Sequence, residues 1–196
     1  MLNGVSVFLI GMMGVGKTTI GQLLAQRLNY EFLDTDMFIE QATGQSVSTI
    51  FAESGESIFR QLETATLSQV SSRLRKVVAT GGGIVVAPDN WSYLKHGVIV
   101  WLDLPVEQIQ KRLSDDTTRP LLQQQDLGAR LNQLLSERRS RYAQADIHIL
   151  IQPDETPDQI TERVLRAIAQ ECDRKRQMDE AIQQLNKEMP FQTNAD

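Results

Sequence analysis

The chain has a single cysteine, no apolar run near the ~20 residues that cross a bilayer, and no surplus of basic charge. Each absence excludes something. Cys172 alone cannot close an internal disulfide, which points to a reducing, cytoplasmic setting. No cluster of His or Lys flanks it, so it reads as an inert residue on a C-terminal helix. A formal net charge of -5 opposes broad nucleic-acid binding, which needs a basic field, yet leaves a nucleotide free to bind on local backbone N–H groups. The opening Met1-Leu2-Asn3-Gly4 carries no basic segment, and the apolar stretch 5–10 runs straight into a glycine loop. It therefore reads as a buried strand rather than a signal peptide. An Arg- and Ser-rich transit segment is lacking, and so is any internal repeat. With 41% hydrophobic and 23% charged residues, the 196-residue chain has a globular composition and suits one compact domain.

Strand-like and helix-like segments alternate, which predicts an α/β fold with a mostly parallel sheet between helices. Residues 5–10 are near-continuously apolar, as in a strand buried on both faces. Residues 17–28 place Ile20, Leu23, Leu24 and Leu28 at helical spacing. Strands are expected at 32–34, 77–80, 98–102 and 147–151. Helices are expected at 36–43, 47 to about 75 with a break near Ser54-Gly55, 106–113, 126–142 and 157–172. The polar stretch 114–125 has no period and reads as a mobile loop. Residues 1–171 are expected to form the domain, and 172–196 an extension that is first helical, through Met178, Ile182 and Leu185, and then disordered from Pro190.

Gly11-Met12-Met13-Gly14-Val15-Gly16-Lys17-Thr18 fits the phosphate-binding pattern G-x-x-x-x-G-K-[ST] in the context it needs, a buried strand before and an amphipathic helix after. Glycines let the backbone curl so that its N–H groups face phosphate oxygens. The helix after the loop adds its positive end. Lys17 can reach the β- and γ-phosphates of ATP, and the Thr18 hydroxyl can ligate Mg²⁺. The loop is thus expected to bind ATP as co-substrate with Mg²⁺ as cofactor, and by itself it names no acceptor.

Residues C-terminal to the phosphate loop carry the acceptor side. Asp34-Thr35-Asp36 ends the second strand, where open parallel sheets hold ligands. One aspartate can orient a hydroxyl and another can hold the metal's water shell, although both could instead cap the next helix. Arg60 and Glu63 share a helix face, a spacing that also suits a solvated surface pair. Gly81-Gly82-Gly83 comes directly after the third strand and presents bare backbone. Arg119, in Arg119-Pro120-Leu121-Leu122, can close over phosphates as a lid arginine. One arginine of Arg138, Arg139 and Arg141 can reach an anionic acceptor.

In this order and spacing the motifs resemble shikimate kinase across roughly residues 5–169. The shared segments are 11–18, 32–36, 50–56, Phe59-Arg60 with Glu63, 81–83, 119–122, and Arg138 four residues before Tyr142. The resemblance implies a nucleoside-monophosphate-kinase-like, three-layer P-loop fold with a short lid and a five-stranded parallel sheet in the order 2-3-1-4-5. It implies transfer from ATP to the 3-hydroxyl of shikimate, by a monomer. Carried over by position, Lys17, Asp36 and Arg119 act in catalysis. Gly14, Val15, Gly16, Lys17, Thr18, Thr19, Arg112 and Arg119 bind the nucleotide, and segment 152–157 lies beside adenine. Asp36, Arg60, Gly81, Gly82, Gly83 and Arg138 bind shikimate, supported by Phe51, Phe59 and Glu63. Thr18 and Asp34 hold the metal. A gluconate-type sugar-acid kinase, a nucleotide-monophosphate kinase and a non-catalytic P-loop protein are the competing readings. Neither nucleic acid nor membrane is an expected partner.

Overall fold

Four consecutive apolar residues with no exposed face, Val7–Ile10 (β1), form the centre of the molecule, because both sides of this strand must be covered by helices. The computed structural model describes residues 2–113 and 126–188. In chain order β1 is followed by α1 (Lys17–Leu28), β2 (Glu31–Asp34), α2 (Thr35–Thr43), α3 (Val47–Ser71), β3 (Lys76–Ala79) and α4 (Asn90–Leu94). Then come β4 (Val98–Asp103), α5 (Val106–Leu113), α6 (Leu127–Tyr142), β5 (Ile147–Leu150) and α7 (Pro157–Glu188). All strand pairs are parallel, in the order β2-β3-β1-β4-β5. The expected architecture is the one observed.

β1 pairs with β3 on one side and β4 on the other, which brings the loops after all three strands to one edge. That edge carries the phosphate-binding loop, the triple glycine and the end of β2. Below it, Phe8, Leu24, Leu67, Val78, Val100, Leu131 and Ile168 fill a single core. A smaller cluster of Ile39, Ile50 and Phe59 joins α2 to α3 beneath the acceptor side.

Local chemistry sets the helix boundaries. Asp34 accepts from the N–H groups of Asp36 and Met37 to cap α2, Ser46 caps α3 through Thr49, and Asp126 caps α6 through Ala129. The expected break in α3 falls at Gly55, whose φ of 82° and ψ of 168° are not helical. β1 starts at Val7 rather than residue 5, because Gly4 and Asn3 occupy left-handed turn conformations just before it. α3 stops at Ser71, short of the expected 75, and Arg75 turns the chain with a φ of 58°. The short α4 lies in a stretch the pattern left without an element. The expected loop 114–125 lies outside the described residues.

α7 continues without interruption to Glu188. Pairs of Arg174 with Glu171, Arg176 with Asp173 and Lys175 with Asp146 support its first turns beyond the core. Ile168 is its last fully buried residue, and every side chain from 173 to 185 is exposed. The fold therefore draws little stability from the extension. A chain ending at Arg176, which keeps the Asp146 contact, is expected to unfold within about 0.5 kcal/mol of the full chain in urea titration. A larger loss would show that the extension packs on the domain.

Candidate active site

The turn from β1 into α1 needs glycine at both ends. Gly11 has φ +139° and its missing Cβ would lie 2.3 Å from the Leu102 carbonyl oxygen; Gly16 caps α1 with φ 99°. Lys17 folds back over this loop, and its Nζ donates to the carbonyls of Gly11 at 2.9 Å and Met12 at 2.8 Å. The ammonium is thus held at the mouth of a ring of backbone N–H groups, with the positive end of α1 beneath. Gly14, Gly16, Lys17, Thr18 and Thr19 line one cavity with Asp34, Asp36 and Gly82. Val15 is buried, so only its backbone can face a ligand. Arg112 reaches the outer side of the loop, 3.3 Å from the Gly14 carbonyl oxygen and 3.4 Å from that of Val15. Segment 152–157 is a turn in which the Gln152 N–H donates to Glu155 at 2.7 Å.

The Thr18 hydroxyl donates to Asp34 Oδ2 at 2.8 Å, while Asp34 Oδ1 caps α2. The capping reading of this aspartate holds, and because its two oxygens face different partners the cap leaves Oδ2 on the side of Thr18. The donor set is one hydroxyl and one carboxylate beside a phosphate-binding loop. That suits Mg²⁺, which keeps waters and phosphate oxygens and needs few protein ligands. Consistently, no cluster of three His, Cys, Asp or Glu exists among the described residues.

Asp36 lines both this cavity and a second one, as do Met13 and Gly82. The second cavity encloses about 550 Å³ including its open mouth, and is lined further by Val47, Phe51, Phe59, Arg60, Glu63, Gly81, Gly83 and Arg138. Phe51 and Phe59 pack with ring centroids 4.6 Å apart as its apolar wall.

Arg60 pairs with Glu56 at 2.9 Å and makes a short charged contact with Glu63. This is no solvated surface pair, because the Glu63 side chain is only 1% exposed. Burial opposes the charge on Arg60, but Glu63 and Glu56 outweigh it and raise its pKa. At Glu63, which lies deeper, burial wins: it pushes the carboxyl up to about 7 despite Arg60, with Asp36 adding to the rise. Glu63 Oε1 is buried with no hydrogen-bond partner among the described residues.

The triple glycine makes this packing possible. A Cβ on Gly81 would lie 2.3 Å from Glu63 Oε1 and 2.8 Å from Asp36 Oδ1, and one on Gly83 would lie 2.2 Å from Arg60 Nη1. The glycines admit side chains as much as ligand. Arg138 enters from α6, is 6% exposed, and donates to the Gly82 carbonyl at 3.1 Å. Arg139 lies over the Trp101 ring instead. The structure thus brings Asp36, Arg60, Gly81, Gly82, Gly83 and Arg138 together beside the phosphate loop. Arg119 lies outside the described residues.

Comparison with known proteins accounts for this arrangement. The family model described as shikimate kinase matches residues 13–169. A shikimate kinase of Nostoc punctiforme is 55% identical over 168 residues, covering 86% of this chain and 93% of its own. The chain belongs to the shikimate kinase family. A solved shikimate kinase from Acinetobacter baumannii, in complex with shikimate, superposes with a TM-score of 0.81 at 37% identity, over 86% of this chain and 94% of that one. A gluconokinase from Sinorhizobium meliloti shares the fold, with a TM-score of 0.52 at 15% identity over 87% of this chain and 94% of that one.

Sequence reasoning passed over several residues of this shikimate-kinase-type site. Met13 and Val47 line the second cavity, and Thr35 Oγ1 accepts from the Gly81 N–H at 2.9 Å. Thr35 sits between two aspartates, and a β-branched hydroxyl there was the available signal. Tyr142 donates to the Gly82 carbonyl at 2.6 Å.

Glu63 also gives stability a pH signature. Its folded pKa of about 7 lies above the ordinary 4.5, so its stabilising contribution is complete below about pH 4.5 and is lost as pH rises through 7. Relative to Glu63→Gln, the ligand-free protein is expected to lose on the order of 1–3 kcal/mol between pH 5 and 8 in denaturant titrations. Parallel curves for the two proteins would refute the buried, raised carboxyl.

Proposed function

We propose that the chain transfers the γ-phosphoryl group of ATP to the 3-hydroxyl of shikimate, giving shikimate 3-phosphate and ADP on the route to chorismate and the aromatic amino acids. One observation carries the acceptor assignment. Arg138 is a buried cation that ion-pairs with no carboxylate among the described residues, and it shares a cavity with Arg60. A buried guanidinium without a counter-charge costs several kcal/mol, which an anionic ligand offsets. Shikimate supplies one carboxylate for the two arginines and three hydroxyls for the carboxylates of Asp36 and Glu63.

Backbone N–H groups of residues 14–19 cradle the phosphates, with Lys17 leaving the Gly11 and Met12 carbonyls to meet the β- and γ-phosphates. Thr18 and Asp34 would hold Mg²⁺, which when bound neutralises charge on the phosphate oxygens. Arg112 flanks the nucleotide, and Arg119 closes over both substrates. Asp36, at the junction of the two cavities, orients the 3-hydroxyl in line with the γ-phosphorus. The hydroxyl oxygen forms the new P–O bond as the bond to the β,γ-bridging oxygen breaks, and ADP leaves with that electron pair. The hydroxyl proton passes to Asp36 or to water; with a loose transition state, positioning and electrostatics matter more than early proton removal. One chain carries every residue named, which supports catalysis by a monomer. The single cysteine supports a cytoplasmic setting.

The test is ADP release with Mg-ATP against shikimate, quinate, gluconate and AMP. Turnover with shikimate alone is expected; turnover with gluconate alone would overturn the acceptor assignment, and ATP binding without turnover would favour the non-catalytic reading. Arg60→Ala is expected to weaken shikimate binding by about 2–5 kcal/mol while ATP binding changes little, as read by calorimetry of each ligand. Equal losses for both ligands would sink its role. Lys17→Met should remain folded by circular dichroism and lose nearly all turnover.

A further inference from the structure

Gly82 lines both the acceptor cavity and the phosphate-loop cavity, and two side chains of α6 converge on its carbonyl oxygen. Arg138 Nη1 donates at 3.1 Å and the Tyr142 hydroxyl at 2.6 Å. The two residues are four apart, one helical turn, so they reach the carbonyl from the same face. On its other side Gly82 lies against the phosphate loop: a Cβ there would sit 3.3 Å from the Met13 nitrogen and 3.5 Å from the Gly11 carbonyl oxygen. One peptide unit therefore joins the helix that carries the anion-binding arginine to the loop that carries the phosphates.

Tyr142 is fully buried, and its ring stacks on Trp101 with centroids 5.7 Å apart. Trp101 stacks in turn on His148 at 3.9 Å, and His148 Nε2 lies 3.0 Å from Asp103 Oδ2. This wall fixes the ring, and phenylalanine would fill the same space. The hydroxyl is what phenylalanine lacks, and its short contact is to the site. Met12 Sδ lies 3.8 Å from it, and the Arg138 guanidinium also reaches it. Burial pushes the phenol up to about 12 despite the opposing pull of Arg138, so it stays a donor at every physiological pH.

We propose that Tyr142 is a positioning residue for phosphoryl transfer: its hydroxyl anchors the Gly82 carbonyl to the last turn of α6 and thereby sets Arg138 relative to the phosphate loop. The proposal rests on the acceptor reading above. With Tyr142 in place, Arg138 spends one N–H on Gly82 and presents the rest of its fork to a carboxylate. Without the hydroxyl, the guanidinium must satisfy a buried carbonyl alone, and the distance between carboxylate clamp and phosphate loop is no longer held from two points. A misplaced acceptor loses rate as well as affinity.

The experiment is steady-state kinetics of Tyr142→Phe, Arg138→Ala and the double variant, beside the wild type. Tyr142→Phe is expected to raise the KM for shikimate about tenfold, the scale of one hydrogen bond at a charged site, with a few-fold fall in kcat. The KM for ATP should stay within about twofold, and the urea midpoint should hardly move, because the ring packing is kept. If Tyr142 acts through Arg138, adding Tyr142→Phe to Arg138→Ala should cost little more than Arg138→Ala alone. A Tyr142→Phe protein with wild-type KM and kcat for shikimate overturns the proposal. So do fully additive effects in the double variant, or a fall in stability with both KM values unchanged, which would mark a packing role only. A wild-type protein idle with shikimate overturns the acceptor reading and this proposal with it, so the two failures are told apart by the wild-type control.

Discussion

Three successive positions without a side chain, at the end of the central strand pair, govern how close everything else can come. The guanidinium of Arg60 lies on the bare Cα of Gly83, the carboxylates of Glu63 and Asp36 converge on Gly81, and the phosphate loop rests on Gly82. A methyl group at Gly81 or Gly83 would occupy the space these charges use. The cavity beside Arg60 and the cavity beside the phosphate loop are adjacent because residues 81–83 have the thickness of a backbone alone.

Charge is arranged around this thin wall so that burial and pairing nearly balance. Arg60 is answered by Glu63 and Glu56, whereas Arg138 is answered by a carbonyl and left with capacity. Glu63 is buried deeply enough that its ordinary ionisation is disfavoured even beside an arginine. An apolar site would bind nothing charged, and a fully paired one would gain nothing from an anion. Two arginines and two carboxylates line one cavity, with Arg60 closed by ion pairs and Arg138 held by a carbonyl. Asp34 shows the same economy, since one oxygen caps α2 and the other meets Thr18.

Much of this was legible in the sequence, and the limits have physical causes. The phosphate loop could be read because its chemistry is local: strand, glycines, Lys17-Thr18 and helix are contiguous. The kink at Gly55 could be read because glycine weakens a helix wherever it stands. Arg60 and Glu63 could be placed on one face, but their burial could not be known, because it depends on Gly81 and Gly83, far along the chain. Among Arg138, Arg139 and Arg141, periodicity alone could not choose the one that turns inward. α4 has no pattern of its own: it is held by Asn90 on the Ile84 carbonyl and Trp91 on the Val85 carbonyl. In the sequence Tyr142 served only to mark the spacing from Arg138, and its hydroxyl acquired meaning only when Gly82 was placed beside it.

The contact between Gly82 and the end of α6 also bears on how the protein comes to be active. Residues 11–18, 34–36, 60–63, 81–83 and 138 each contribute to the site, and the last is 56 positions away from the carbonyl it holds. Such contacts have high sequence separation, the kind that slows folding. The phosphate loop, by contrast, is assembled within one strand–helix unit. The glycine turn is therefore held by a distant helix, α6, whereas Lys17 closes the phosphate loop from within six residues.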